Sequence, residues 1–296
     1  MATTAVQGTR ALRVYLEMIK FEHSIFALPF AMIGMMWGSR SELGTPWPGP
    51  RIFGLIILAM VSVRSAAMAY NRIADRDIDA LNPRTKTRAI PAGLLQLRQV
   101  NVFFFASCAI FFFAAGLLNW LTLVLSPVAL ATLLFYSHTK RFTPLCHFVL
   151  GFSMGIAPAA AWIAATGRLD LVVGVITFAV LFWGAGFDII YALQDEEFDR
   201  EHGLRSLPET LGKARALGVS RICHLAAICC LAAAGVVLHN GPAYFMGVAF
   251  AAGLLIYEQS LVKPDDLSKV NMAFFTLNGF VSLGLFFFAL ADQLLR

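Results

Sequence analysis

Residues 55–79 read LIILAMVSVRSAAMAYNRIADRDID, an apolar run that ends abruptly in charge. A bilayer's hydrocarbon core is about 30 Å thick, and a helix needs roughly 20 apolar residues to cross it. Followed back toward its start, this run predicts a membrane span over 52–70 that delivers acid groups to one membrane face. Past its end, Asn71, Asp75 and Asp79 recur every four residues. Residues four apart on a helix are separated by about 40° and about 6 Å of rise, so the trio lines one face.

A second apolar run ends in Tyr191-Ala192-Leu193-Gln194-Asp195-Glu196-Glu197-Phe198-Asp199, where Tyr191, Asp195 and Asp199 repeat that spacing. Arg84-Thr85 follows the first cluster, and Arg205-Ser206 follows the second at nearly the same distance. The chain therefore reads as one domain over 1–296, built from two diverged halves of about 1–140 and 141–296. Such repeats in membrane proteins commonly meet around a shared central site.

The rest of the chain fits this reading. It is 58% hydrophobic and 14% charged, with a mean hydropathy of +0.71, whereas an ordinary soluble domain is roughly 45–50% apolar and about 25% charged. Nine apolar blocks predict spans near 21–38, 52–70, 100–118, 120–137, 145–165, 170–193, 217–239, 242–258 and 270–292. Continuous apolar blocks exclude a β-barrel, whose segments are short and alternating. The expected fold is an all-α membrane protein: a bundle of about nine transmembrane helices around a central cavity that opens to the cytoplasmic side and laterally to lipid. Residues 1–20 lack a cleavable signal's pattern and read as a surface-lying helix. Five cysteines without metal-ligand spacing predict neither disulfides nor a zinc site.

Basic residues are unequally shared between the two faces. Arg10, Arg13, Lys20, Arg72, Arg76, Arg84, Lys86, Arg88, Arg98, Lys140, Arg141, Arg200, Arg205, Lys213, Arg215, Arg221, Lys263 and Lys269 fall on one face, and only Arg40, Arg51, Arg168 and Arg296 on the other. By the positive-inside rule the first face, with the N-terminus and both acid clusters, is cytoplasmic. Topology accounts for the net charge of +5 without any nucleic-acid surface.

Two carboxylate pairs at the mouth of one bundle repel unless cations lie between them. Oxygen-only ligands suit Mg²⁺, which also takes phosphate oxygens as partners. A single DxxxD could simply cap a helix end, but two matched copies at span ends point to a diphosphate–Mg²⁺ site held by Asn71, Asp75, Asp79, Asp195 and Asp199.

With these motifs in place, the chain resembles the UbiA superfamily of intramembrane prenyltransferases, whose signatures are NxxxDxxxD after the second span and DxxxD after the sixth. The resemblance includes the Asn82-Pro83-Arg84-Thr85-Lys86-Thr87-Arg88 and Lys140-Arg141-Phe142-Thr143 loops. It implies Mg²⁺-dependent transfer of a polyprenyl chain from its diphosphate to an aromatic acceptor in a bacterial inner membrane. The expected catalytic groups are Asp75, Asp79, Asp195, Asp199 and Asp188.

Arg64 and Asp188 each lie seven residues before a cluster, about 10 Å deeper in the membrane. Ionised groups there must face the bundle interior and find partners. They either pair with each other, or Arg64 holds the acceptor's carboxylate, with Tyr191 beside it, while Asp188 stabilises positive charge or takes a proton. Lys140 and Arg141, then Arg84 and Arg88, and also Arg72, are the expected diphosphate cations; Lys86 and Arg205 are weaker candidates. Tyr70, Tyr136, Tyr191 and Trp183 are expected to line the chamber, while the Phe103–Phe105, Phe111–Phe113 and Phe286–Phe288 runs face lipid. Lys20, Glu22, His23 and Ser24 open the first span, with no metal expected at His23.

The acceptor is open between 4-hydroxybenzoate, for ubiquinone, and a hydroxynaphthoate, for menaquinone. Residues 20–30 depart from the Arg-x-x-Lys/Arg-Pro-x-Gly pattern of the ubiquinone-pathway members and look closer to a 4-hydroxybenzoate polyprenyltransferase-like branch. A transporter is the main rival class, and it predicts broken helices at mid-membrane.

Overall fold

A chain whose apolar runs lie in lipid must satisfy its backbone hydrogen bonds within each segment. The computed structural model of the protein describes residues 8–20 and 24–296, and no strand occurs among them. A first helix, α1 (Gly8–Met18), exposes Arg13 and Glu17 as an ion pair and buries Met18 against Ala69 and Val100. The long helices are α2 (Ser24–Leu43), α3 (Pro50–Ala74), α5 (Leu97–Leu118), α6 (Trp120–Thr139), α7 (Cys146–Thr166), α8 (Leu171–Ala192), α11 (Lys213–Val237), α12 (Pro242–Leu261) and α13 (Asn278–Leu295). Short helices α4 (Arg76–Leu81), α9 (Glu196–Glu201) and α10 (Leu207–Leu211) follow the two acid clusters. A π-helical turn, Met272–Leu277, leads into α13.

The expected spans coincide with these elements to within a few residues. Eight helical segments among the described residues are long and apolar enough to cross a membrane. The expected first span, α2, has 20 residues but ends in Ser39-Arg40-Ser41-Glu42. Its length is sufficient, and its remaining apolar residues, Phe30, Ile33, Met35 and Met36, are buried in the main core rather than facing outward. Phe21, Glu22 and His23 lie outside the described residues.

Local sequence sets the boundaries. Pro50 and Pro242 open α3 and α12, where a missing N–H costs nothing. Asn119 caps α6 by accepting from the Thr122 N–H, and its amide donates to the Ile163 and Ala164 carbonyls, tying α6 to the end of α7. Gly167 ends α7 in the left-handed conformation. The α7–α8 seam is a small-residue contact: Gly151 and Gly155 sit one turn apart, against the Leu181 and Thr177 carbonyls of α8. Helices in lipid associate by such close backbone approach, since burying apolar surface gains nothing there. His147, one turn before Gly151, continues the same face toward Asp188.

A Cβ at Gly151 would collide with the Leu181 carbonyl oxygen. Gly151→Val is therefore expected to destabilise the folded protein by about 1–3 kcal/mol. Thermal unfolding in detergent tests this: a midpoint equal to the wild type's would show that the seam is looser than described.

Candidate active site

Each acid cluster is built by the same backbone device. Helix α3 ends at Asp75, whose φ of −98° and ψ of 4° place it in the bridge region before α4 begins. Helix α8 runs through a 3₁₀ turn to Asp195, at φ −103° and ψ 1°, before α9 begins. Non-helical residues of this kind are frequent in active sites. Asp79 and Asp199 then fall in the first turns of α4 and α9, where the helix dipole favours negative charge.

All four aspartates line one cavity of about 190 Å³, so the two motifs share a membrane face and a site. Each carboxylate is held by a cation from a loop. Arg84 grips Asp195 with a two-pronged fork, Nε to Oδ1 at 3.1 Å and Nη2 to Oδ2 at 2.6 Å, and its Nη1 donates to the Tyr191 hydroxyl at 2.9 Å. Arg88 Nη1 donates to both oxygens of Asp79, at 2.6 and 2.8 Å. Lys140 Nζ lies 2.7 Å from Oδ1 of the fully buried Asp199, whose Oδ2 accepts from Ser206 Oγ at 2.9 Å. Arg141 reaches Asp75 at 3.2 Å, and Asn71 donates to the same carboxylate at 2.7 Å. Burial, and then the neighbouring Asp79 charge, push the Asp75 carboxyl above its ordinary value, while Arg141 pulls it down. Burial would lower the Arg84 guanidinium, but its bond and charge attraction to Asp195, together with Tyr191 and Asp79, raise it on balance.

Beside the mouth lies a second, mostly apolar cavity of about 890 Å³, walled by α3, α5, α6, α7 and α8. Asn71, Arg88, Tyr136, Ser137, Asp188 and Tyr191 line both cavities and form their boundary. Val128, Phe152 and Phe178 line the apolar cavity and are also exposed on the outside of the bundle, so it reaches the lateral surface. Arg64 lines this cavity and donates to the Lys20 carbonyl at 3.3 Å. Asp188 pairs with His147 at 2.6 Å, not with Arg64.

Several expected residues lie elsewhere. Arg72 is buried beneath the mouth, where its Nε donates to the Met18 carbonyl at 3.3 Å and it flanks Asp79 at 3.8 Å; it lines the apolar cavity and not the mouth. Its length is spent on anchoring α1 to α3. Lys86 and Arg205 are exposed and line neither cavity. Tyr136 and Tyr191 are lining residues as expected, but Tyr70 is hydrogen-bonded to His138, and Trp183 lies in the core bonded to Asn278. Phe105, Phe113 and Phe287 face outward, whereas Phe111 turns in to line the apolar cavity. The sequence reading missed His147, because its partner is 41 positions away on another helix.

The donor set fits Mg²⁺. Four carboxylates and the Asn71 amide are hard oxygen donors, although among the described residues no three metal-ligating side chains gather in one cluster. Mg²⁺ ordinarily needs only one or two carboxylates when substrate phosphates complete its shell. The cation-rich loops around the aspartates supply the surroundings such phosphates require.

Residues 27–286 match the UbiA prenyltransferase family. The chain belongs to this family. A 4-hydroxybenzoate octaprenyltransferase of Methylococcus capsulatus is 31% identical over 92% of this chain and 93% of that protein. Among solved structures, a UbiA homolog from Aeropyrum pernix is 37% identical and superposes with a TM-score of 0.82, over 92% of this chain and 98% of that one. A UbiA homolog from Archaeoglobus fulgidus, bound to DMAPP and Mg²⁺, has the same fold at 18% identity and a TM-score of 0.70, over 95% of this chain and 99% of that one. The protein is thus a membrane-embedded UbiA prenyltransferase.

Asp199 offers a test of the ion-pair network itself. Lys140→Met leaves its buried carboxylate without a cation and is expected to cost about 1–3 kcal/mol. Asp199→Asn in the same background removes the uncompensated charge and is expected to return most of that loss. A double variant no more stable than Lys140→Met in thermal unfolding would contradict the pairing.

Proposed function

We propose that this enzyme transfers a polyprenyl chain from its diphosphate to a ring carbon of an aromatic acid, 4-hydroxybenzoate, in respiratory quinone synthesis. The observation that carries the proposal is the joining of two unlike cavities: an acid-and-cation mouth continuous with a large apolar chamber, with Arg64 and Asp188 on the chamber's wall. The name of the Methylococcus relative supports the acceptor, and the DMAPP and Mg²⁺ bound to the Archaeoglobus homolog support the donor and the metal.

In this reading Asp75, Asp79, Asp195 and Asp199, with Asn71, hold Mg²⁺ against the diphosphate. The metal, when bound, supplies countercharge to the leaving group as its carbon–oxygen bond breaks. Arg84, Arg88, Lys140 and Arg141 are positioned to turn from the carboxylates they now hold toward phosphate oxygens, adding charge where charge develops. The allylic carbon then lies at the boundary of the apolar chamber, whose walls keep out the water that would otherwise capture the cation. The polyprenyl tail occupies that chamber and leaves through its lateral opening into lipid. Arg64 takes the acceptor's carboxylate, since a guanidinium matches it with two parallel bonds, and Tyr191 flanks the ring. Basic loops crowd this mouth, which by the positive-inside rule supports a cytoplasmic opening. The helix breaks fall at span ends rather than mid-membrane, which argues against a transporter.

Membranes assayed with labelled 4-hydroxybenzoate and a polyprenyl diphosphate should form product only with Mg²⁺. Asp75→Ala and Asp195→Ala should each lower turnover by at least roughly 10²-fold. Full turnover in either variant would remove the proposed site. Arg64→Ala should chiefly raise the acceptor's KM, by about 10-fold or more if a charge-assisted bond is lost; an unchanged KM would remove its role as the carboxylate anchor.

A further inference from the structure

The alkylation proposed above leaves one step without a residue. When a ring carbon bonds to the allylic carbon, the carbon–oxygen bond to diphosphate breaks and its electron pair leaves with the phosphate. The attacked ring carbon then carries both its hydrogen and the new substituent. Aromaticity returns only when that hydrogen departs as a proton and leaves its bonding pair in the ring. A base must stand within the water-poor chamber, beside the acceptor and away from the carboxylates that hold the metal.

One carboxylate meets these conditions. Asp188 lies on α8, two helical turns deeper than Asp195, and lines both the mouth and the apolar cavity that Arg64 also lines. Its Oδ2 receives a 2.6 Å hydrogen bond from His147 Nδ1. His147 is buried, and its other ring nitrogen, Nε2, accepts the Leu207 backbone N–H at 3.3 Å. A neutral imidazole that accepts at Nε2 carries its proton at Nδ1, so the Leu207 amide fixes the tautomer that donates to Asp188. Among the described residues no donor occupies the second oxygen, Oδ1, and the side chain stays 16% exposed toward the cavities. The carboxylate is thus aimed by one oxygen while the other is open. His147 owes its place to the seam below it: His147, Gly151 and Gly155 share the α7 face that packs tightly on α8.

We infer that Asp188 is the base that removes the ring proton after prenyl transfer, through Oδ1, and that His147 is the positioning residue that orients it. The inference rests on the aromatic-acid reading above. In the balanced step the ring C–H bond breaks, its electron pair rejoins the ring, and the proton passes to Asp188. From there it leaves by the mouth cavity, which Asp188 also lines.

The test uses full-length enzyme in membranes with 4-hydroxybenzoate deuterated at the ring carbons beside the hydroxyl, compared with unlabelled acceptor. In the wild type proton loss follows carbon–carbon bond formation quickly, so the two acceptors should turn over at the same rate. Asp188→Asn should lower kcat by on the order of 10²–10⁴-fold, the usual contribution of a placed base. A primary isotope effect should appear with it, because C–H cleavage has become rate-limiting. His147→Ala should show a smaller loss with the same isotope effect. His147→Asn, whose amide nitrogen can replace Nδ1 as donor, should recover most of the rate and lose the effect, with the KM for polyprenyl diphosphate unchanged throughout. Wild-type turnover in Asp188→Asn, or slow variants with no isotope effect, would overturn the inference and leave the pair a structural contact. A wild type that converts polyprenyl diphosphate with no 4-hydroxybenzoate product would instead overturn the acceptor reading, and this step with it.

Discussion

The fork of Arg84 on Asp195 joins the loop after the first acid cluster to the end of the helix that carries the second. Two carboxylates about 4 Å apart repel by about 4 kcal/mol at an effective dielectric of 20. Helix ends bearing four such groups cannot face one cavity without counterions. The protein supplies them from distant parts of the chain: Arg84 and Lys140 hold Asp195 and Asp199, and Arg141 holds Asp75. The two acid-bearing helix ends are thereby fastened around one cavity. Under the proposed function, the cations that neutralise the acids in this way are also the ones that would meet the diphosphate, so one set of charges would serve both folding and binding.

The apolar chamber is the complement of this mouth. A multi-span bundle has no reason to leave a cavity of about 890 Å³ unless something fills it, because close packing is where helices in lipid gain their stability. Tight seams at Gly34 against Pro158 and Gly151 against Leu181 hold α2, α7 and α8 together. The space between α3, α5, α6 and α7 can then remain open. The boundary residues, Tyr136, Asp188 and Tyr191 among them, belong to both compartments.

What the sequence revealed was whatever is local along the chain. Apolar runs report spans because each is one uninterrupted helix, and the four-residue spacing of Asp75 with Asp79 and of Asp195 with Asp199 survives the bridge-region break that follows each span. Features that depend on contact between helices were not legible. Arg72 has the composition of a phosphate ligand, and its Nη1 does flank Asp79 at 3.8 Å, but its Nε is bonded to the Met18 carbonyl of α1. Trp183 lies on the helix that runs on to the second acid cluster, yet its indole is turned to Asn278 on α13. His147 carried no local pattern at all; its meaning lies in the Gly151 and Gly155 seam that brings it to Asp188.

The central claim is that both acid clusters serve one diphosphate. Calorimetric titration of Mg²⁺ into the purified protein, with and without inorganic pyrophosphate, tests it most directly when repeated on Asp79→Ala and Asp199→Ala. The account predicts pyrophosphate-dependent Mg²⁺ binding in the wild type and its loss on either substitution, since each removes one wall of the same site. Undiminished pyrophosphate-dependent binding in either variant would contradict it.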